Sequence, residues 1–165
     1  ERPQSTSYCF DSEPHFQYFT EYHKRPEVRK MAEETGITET MSLQGSFFMC
    51  TKEKYFELNI CDEEFGSWGN QGIEVACKFW LSGGRVLVNH KTWYAHMFRT
   101  QGGDFCPKYL YDGRVIRETK SKVWEDIINY KLANQIYQVS WLINKFLPVA
   151  DWTEDKIKQL NDIHS

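Results

Sequence analysis

The sequence lacks a long hydrophobic run, a surplus of positive charge and an N-terminus of the secretory type. No window approaches the roughly 18 apolar residues of a membrane-spanning helix, and no basic-then-apolar signal is present. Lysine and arginine number 20 against 23 aspartates and glutamates, which gives a formal net charge of −3. The sequence therefore contains no stripe of basic residues along which a nucleic-acid backbone could bind. These absences predict a soluble chain with no membrane span and no nucleic-acid partner.

Closely spaced cysteine pairs are absent as well. The chain has five cysteines and no CxxC motif, and an odd count argues against a closed disulfide framework. Tetrahedral zinc sites usually take two ligands from one tight turn, so a cysteine zinc site is not expected. The pattern favours a cytoplasmic protein with reduced, mostly buried thiols, which are Cys9, Cys50, Cys61, Cys77 and Cys106.

The sequence is rich in apolar and aromatic residues. Of its 165 residues, 41% are apolar and 16% aromatic, which suits one folded domain of about 100 to 200 residues. Burial on this scale offsets chain entropy, so intrinsic disorder is excluded as the main state. The first residue is Glu1 rather than methionine, and we interpret the chain as a fragment or a processed product.

The clearest predicted element is a helix over residues 70–82. Glycines follow it at positions 83 and 84, and glycine readily takes the left-handed conformation that a helix end needs. Its apolar residues recur at i, i+3, i+4, i+7 and i+8, the spacing of one helix face: Ile73, Ala76, Cys77, Trp80 and Leu81.

Shorter patterns predict the remaining elements. Aromatic or β-branched runs favour strands at 46–50, 85–90 and 92–98. Capping residues and proline positions predict helices that begin near Pro26, near Thr51 and near either Asp151 or Thr153. A helical rhythm over 123–146, broken at most once, ends before Pro148. Residues 16–22 fit either a strand or a short helix.

The turn before the central helix carries a first candidate cluster. Glycine here permits close approach of another molecule to the backbone, and a helix N-terminus offers free N–H groups to an anion or a sugar hydroxyl. The structural alternative is that Glu74 satisfies the helix dipole and pairs with Lys78 at i+4. The cluster consists of Asp62, Glu63, Glu64, Trp68, Gly69, Gln71 and Glu74.

A second cluster follows the glycine pair and contains Trp93, Tyr94, His96 and Arg99. In a strand, His96 shares a face with Tyr94, which is compatible with a buried, hydrogen-bonded histidine. The functional interpretation makes His96 a metal ligand and Arg99 a two-pronged donor to a phosphate. Both interpretations are open at this point.

Together the two clusters carry a resemblance to a known family. Ordered motifs over about residues 40–99 resemble the second half of the catalytic domain in family 2-like glycosyltransferases. The similarity is greatest to the polypeptide N-acetylgalactosaminyltransferases and their phage and bacterial relatives. The motifs are Met41 to Phe48, Tyr55-Phe56, Cys61-Asp62-Glu63, Trp68-Gly69, Ile73-Glu74, Phe79-Trp80, Gly83-Gly84 and Ala95 to Arg99.

The resemblance implies an α/β fold, namely a partial GT-A-like (Rossmann-like) domain with a mixed sheet flanked by helices. Residues 1–110 would be its acceptor-side half and 111–165 a helical C-terminal extension packed on it. It implies sugar transfer from a nucleotide-diphosphate sugar to a hydroxyl on a glycan, protein or small molecule, with Mn²⁺ or Mg²⁺ as a Lewis acid.

The resemblance also implies roles for individual residues. His96 would bind the metal and Arg99 would assist the phosphate. Catalysis would rest on Glu74 and Gln71, and a mobile lid would span 101–107. The pocket for sugar and acceptor would be lined by Trp68, Gly69, Trp93 and Tyr94.

Two departures from the family pattern qualify these roles. Gln71 stands where relatives have an acid, and its neutral amide cannot act as a base at neutral pH. No Asp-x-Asp follows a hydrophobic strand. We therefore expect the nucleotide-binding half to lie upstream, as a separate partner segment.

Two other functions fit the same residues. A non-catalytic carbohydrate-binding module would use Trp68, Trp93 and Tyr94 to stack on sugar faces. An interaction domain would use the helices over 123–146 to dock a partner.

Overall fold

The computed structural model describes residues 6–65, 69–96 and 113–163, and its elements are mixed α and β. Trp68, Arg99 and the predicted lid lie outside these ranges. The strands are β1 (Tyr8–Phe10), β2 (Phe16–Tyr18), β3 (Ile37–Glu39) and β4 (Leu87–Asn89). The helices are α1 (Thr20–Lys24), α2 (Pro26–Thr35), α3 (Lys52–Glu57), α4 (Gln71–Leu81), α5 (Gly113–Ile128), α6 (Val139–Phe146) and α7 (Glu154–Asp162), with a 3-10 turn at Glu63–Phe65.

The strands form two small antiparallel pairs. Strand β1 pairs with β2, and β3 pairs with β4. A bridge between Tyr8 and Ser42 connects the first pair to the segment after β3. The predicted α/β class is confirmed, and within the described residues the sheet is divided into these two pairs.

Helix α4 lies at the centre of the core, as its periodicity predicts. Trp80 is almost completely buried, and its indole N–H donates to the carbonyl of Thr40 at 2.9 Å. This bond satisfies the polar end of a large apolar side chain. The remaining apolar face of α4 packs in the same cluster, through Ile73, Ala76, Cys77 and Leu81.

The C-terminal part is helical, as predicted, but residues 129–138 interrupt the long rhythm. Tyr130 and Asn134 have positive φ angles of 56° and 55°, a backbone conformation that cannot continue a right-handed helix. Helix α6 ends at Phe146, just before Pro148. The Arg25 side chain donates to the carbonyls of residues 146–148. None of the described helices is both long and apolar enough to cross a bilayer.

Two strand predictions are wrong. Residues 46–50 form a turn and an irregular segment, and residues 92–96 are irregular as well. The side chains explain the first difference, because Phe47 is 53% and Met49 86% exposed. An apolar run forms a buried strand only when it can pair with a neighbouring strand, and neither strand pair extends to these residues. Residues 16–22 contain both predicted possibilities, strand β2 followed by α1.

Candidate functional site

Three segments meet at the N-terminal end of α4. The loop 43–47 lies between the first turn of α4 and residues 92–96. The Tyr94 hydroxyl donates to Gln44 Oε1 at 3.0 Å and lies 3.1 Å from Ser46 Oγ. The Tyr94 and Phe47 rings are 4.9 Å apart. We call the surface formed by residues 43–47, the start of α4 and residues 92–96 the Tyr94 face.

Gln71 connects α4 to this loop. A Cβ added to Gly45 would lie 2.8 Å from Gln71 Oε1, and one added to Gly72 would lie 1.9 Å from the carbonyl oxygen of Leu43. Glycine is therefore required at position 72, where the obstacle is backbone, whereas a side chain at position 45 would displace the Gln71 side chain. The Gln71 amide donates to Cys61 Sγ at 2.9 Å. The predicted site residues Gln71 and Tyr94 thus contact the same short loop.

Glu74 points in a different direction and is buried. It is 2% exposed, and its Oε1 lies 2.7 Å from Lys78 Nζ. The same oxygen accepts the backbone N–H of Asp62 at 3.0 Å. Lys78 also donates to the carbonyl of Asn59. This is the i+4 pair of the structural alternative, and the catalytic role of Glu74 stays a prediction.

The pair holds the acidic turn against α4. Asp62 accepts the backbone N–H of Glu64 at 3.0 Å and the Asn59 amide at 2.6 Å. Asn59 and Cys61 have positive φ angles of 48° and 61°. Such angles are costly for residues other than glycine and persist where surrounding contacts enforce them. The buried Lys78 and Glu74 supply those contacts.

Helix α5 packs onto the other side of the turn. The Asn70 amide donates to Thr119 Oγ1 at 3.0 Å, and Lys122 pairs with Glu64. Gly69 has a φ of 98°, and a Cβ there would lie 3.3 Å from the Ile116 side chain. Residues of the predicted C-terminal extension therefore contact the predicted acceptor-side turn.

The other predicted site residues are exposed. Trp93 is 81% exposed, and His96 is exposed on the same segment, after the Phe47–Tyr94 contact. The alternative of a buried histidine at position 96 is therefore not observed, and the segment that carries His96 is irregular rather than a strand. The metal-ligand role of His96 stays a prediction. Exposure leaves the Trp93 indole face accessible to a ligand.

A complete metal centre is not formed by the described residues. Within residues 6–65, 69–96 and 113–163, no group of three His, Cys, Asp or Glu side chains lies close enough to hold an ion. His96 is a single candidate ligand, and Glu74 is engaged by Lys78. Divalent ions of the Mg²⁺ class take about six oxygen-rich ligands, so His96 alone does not fit such an ion.

The thiols of Cys9, Cys50 and Cys77 have raised pKa values and are therefore not activated as nucleophiles. Burial raises the pKa of the Cys9 thiol to about 12, and burial also raises that of Cys77. Burial and then the neighbouring Cys61 raise the pKa of Cys50. These groups stay protonated at neutral pH, and the thiolate is the nucleophilic form. The described cysteines are free, and covalent catalysis by Cys9, Cys50 or Cys77 is not indicated.

Known proteins with similar sequences match between half and three-quarters of the chain. N-acetylgalactosaminyltransferase 7 from Mus musculus is 28% identical over 133 residues, which cover 75% of this chain and 18% of the relative. Polypeptide N-acetylgalactosaminyltransferase 3 from Mus musculus is 31% identical over 83 residues, 50% of this chain and 13% of the relative. The Homo sapiens protein of that name is 28% identical over 82 residues. No family model matches the chain.

The chain resembles the polypeptide N-acetylgalactosaminyltransferases. The resemblance inferred from the motifs is thereby confirmed, and the mixed α/β structure is compatible with part of a glycosyltransferase domain. The chain spans less than one fifth of the length of these transferases, 18% for the first and 13% for the second.

Sequence reasoning missed the loop side of the Tyr94 face. Gln44, Ser46 and Phe47 were interpreted as parts of a strand or of the resemblance, without a role. The feature of the sequence that reflects this loop is the pair Gly45 and Gly72. A Cβ on Gly45 would collide with the Gln71 side chain, and a Cβ on Gly72 would collide with the Leu43 carbonyl oxygen. Two glycines 27 positions apart carry no visible link in sequence, because only the fold brings them together.

Proposed function

We propose that this chain is the acceptor-side part of a glycosyltransferase that moves a sugar from a nucleotide-diphosphate sugar to a hydroxyl. The observation that carries the proposal is the Tyr94 face. Aromatic and amide side chains meet there in a chain that resembles transferases of this kind. Aromatic faces with nearby amides and hydroxyls suit the apolar and polar sides of a sugar ring.

In the proposed site, Trp93 and Tyr94 stack against the acceptor or the transferred sugar. Gln71 orients a hydroxyl through its amide, because that group both donates and accepts but does not take a proton. Gly69, which has no side chain, is proposed to let the incoming group approach the backbone closely, and Trp68 is proposed to line the sugar pocket. Proton removal from the acceptor then requires a carboxylate from outside this set of residues.

Glu74 has a positioning role in this proposal. Its carboxylate holds the backbone of Asp62, while Lys78 holds that of Asn59. The acidic turn leads directly to Trp68 and Gly69, so the pair sets the entry to the acceptor side. A direct role as base would require Glu74 to leave Lys78 and become exposed.

His96 and Arg99 face the donor in this proposal, as one metal ligand and one phosphate contact. The described residues do not complete the coordination sphere. The remaining ligands would come from a nucleotide-binding half of the enzyme. The predicted division, with 1–110 as acceptor side and 111–165 as helical extension, is supported by the contacts of α5 with the turn.

A non-catalytic carbohydrate-binding module is the second candidate function. The exposed Trp93 beside Tyr94 and Phe47 favours it, since stacking on a sugar needs no metal. It differs from the first proposal in one measurable respect. A module binds its sugar in the same way whether or not donor chemistry is present.

Ligand-detected and protein-detected NMR with hydroxyl-bearing glycans and glycopeptides tests the proposed face. We expect shifts at Gln71, Trp93 and Tyr94, and at least tenfold weaker binding in Tyr94→Ala. The matched control is Trp141→Ala, a partly exposed aromatic on α6, which should leave binding unchanged. No binding of any glycan or glycopeptide, or equal loss in both variants, would contradict an acceptor role for this face.

A chimeric enzyme distinguishes a catalytic function from sugar binding alone. The matched segment of the mouse transferase 7 relative is replaced by this chain, and sugar transfer is measured with a Tyr94→Ala version beside it. Transfer that depends on Tyr94 supports the transferase assignment. A folded chimera that binds glycans but transfers no sugar would favour the binding module.

A further inference from the structure

The Gln71 side chain is held at its amide nitrogen, while its amide oxygen has room for a ligand. Nε2 donates to Cys61 Sγ at 2.9 Å. Oε1 lies on the side of the 43–47 loop, 2.8 Å from the point where a Cβ on Gly45 would lie. No hydrogen bond within residues 6–65, 69–96 and 113–163 uses this oxygen, and Gln71 is half-buried. The missing side chain at Gly45 therefore leaves space for a donor to reach Oε1.

The sulfur of Cys61 determines which way the amide points. An amide can be turned over to exchange its oxygen and its NH2 group, and the two orientations are distinguished by the partners that they meet. In the structure the NH2 group faces the sulfur, so Cys61 accepts and Oε1 turns to the loop. The reverse orientation would offer Oε1 only a thiol S–H, which is a weak donor.

Cys61 is itself fixed by its two neighbours in the chain. The Ile60 N–H donates to the Tyr55 carbonyl at 2.9 Å, and Ile60 is 2% exposed. The Asp62 N–H donates to Glu74 Oε1 at 3.0 Å. Cys61 has a positive φ of 61°, a conformation that persists where surrounding contacts enforce it. The position of the sulfur is therefore set by α3 on one side and by the buried Glu74 on the other.

We propose that Cys61 is a positioning residue of the transferase site, which turns Gln71 so that Oε1 accepts a hydrogen bond from the acceptor hydroxyl. This role rests on the proposed function and specifies the polarity of the contact. The ligand must offer an O–H to Gln71, because a group that only accepts has no donor to meet there. Donation uses the hydrogen of the hydroxyl and leaves its nucleophilic lone pairs unengaged.

Nitrogen–proton NMR of the Gln71 side-chain NH2 group tests the contact without any ligand. In Cys61→Ala we expect its two proton signals to move and to exchange faster with water, because no sulfur then accepts from Nε2. Cys61→Ser should restore the signals towards their original positions, since a hydroxyl oxygen accepts in place of sulfur. Cysteine, serine and alanine all carry a Cβ, so the three share the backbone cost of the positive φ. Cys50→Ala, at an exposed cysteine, is the matched control and should change nothing.

Binding of the methyl pyranosides of glucose, galactose and mannose tests the role in the site. The tightest of these ligands should bind Cys61→Ala about fivefold more weakly than the unaltered chain, as expected for one hydrogen bond, and Cys61→Ser within about twofold. Fluorine accepts but cannot donate. A derivative with fluorine in place of the hydroxyl that meets Gln71 should therefore lose a similar factor on the unaltered chain and less on Cys61→Ala.

The outcomes separate this role from the proposed function. If Tyr94→Ala weakens sugar binding but Cys61→Ala does not, or if the Gln71 signals are unchanged in Cys61→Ala, the function stands and the role of Cys61 is overturned. If no pyranoside binds the unaltered chain although the Gln71 signals depend on Cys61, the proposed function fails and the role in the site fails with it. The melting temperature of each variant identifies any loss of fold. Should Cys61→Ala unfold, Cys61→Ser and the fluorinated sugars on the unaltered chain give the decision.

Discussion

Glu74 and Lys78 form an ion pair inside the protein, one helical turn apart on α4, with 2.7 Å between Oε1 and Nζ. Each residue is 2% exposed. Each also binds the backbone of the preceding turn, Glu74 at Asp62 and Lys78 at Asn59. The pair therefore determines the shape of the acidic turn that leads into the proposed acceptor site.

Removal of one partner of this pair should be much worse than removal of both. Lys78→Met leaves the Glu74 carboxylate buried without its counter-charge, and we expect a loss of about 3 to 5 kcal/mol of unfolding free energy. The double variant Lys78→Met/Glu74→Gln should recover part of that loss. Urea unfolding of both variants measures the difference. Equal stability of the single variant and the unaltered chain would contradict a buried, coupled pair.

Trp80 should be a costly aromatic residue to truncate. Trp80→Ala leaves a large cavity beside Phe146 and removes the bond to Thr40, so we expect a loss of about 3 to 5 kcal/mol. Trp93→Ala is the surface control and should change stability by less than about 0.5 kcal/mol. Thermal and urea unfolding give both values. A loss below about 1 kcal/mol for Trp80→Ala would contradict the central position of α4.

The chain should become less stable in mild acid through His23 and His90. Both pKa values are lowered in the folded state, so folding favours the neutral rings. Their stabilising effect is complete above the unfolded pKa of about 6.5 and is lost as the pH falls through the folded values below it. The urea midpoint should therefore fall between pH 7.5 and pH 5.5.

The double variant His23→Gln/His90→Gln provides the comparison for this pH effect. Glutamine does not titrate, so the urea midpoint of the variant should change less over the same interval. His15→Gln should retain the full change. An identical pH dependence in all three proteins would show that the titrating groups lie elsewhere.

A uridine-diphosphate sugar should bind this chain weakly or not at all. His96 gives a divalent ion one ligand, and no group of three candidate ligands exists among the described residues. Calorimetry with the donor, with and without manganese, measures the affinity, and His96→Ala is the companion variant. Micromolar binding that depends on manganese and is unchanged in His96→Ala would contradict both the ligand role and the incomplete donor site.

Local patterns in the sequence predict much of the fold. The spacing of Ile73, Trp80 and their neighbours predicts α4 to within one residue at each end. Thr51 caps its helix as predicted, and of the two candidates for the last helix Thr153 rather than Asp151 is the cap; each threonine accepts a backbone N–H in the first turn. Such features depend on residues three or four apart, so the sequence alone contains the necessary information. The order of motifs also sufficed for the resemblance to the transferases.

Only the tertiary structure decided how distant segments meet. Residues 46–50 read as a strand but remain irregular, because strand formation needs a partner edge that the fold does not provide. The sequence around Glu74 is compatible with a surface acid and with a catalytic base. In the structure Glu74 is buried, where it pairs with Lys78 and accepts the backbone N–H of Asp62. The contact of His23 with His90 depends on the fold that brings α1 next to the end of β4. Residues so far apart become neighbours only when burial of the whole core brings their elements together.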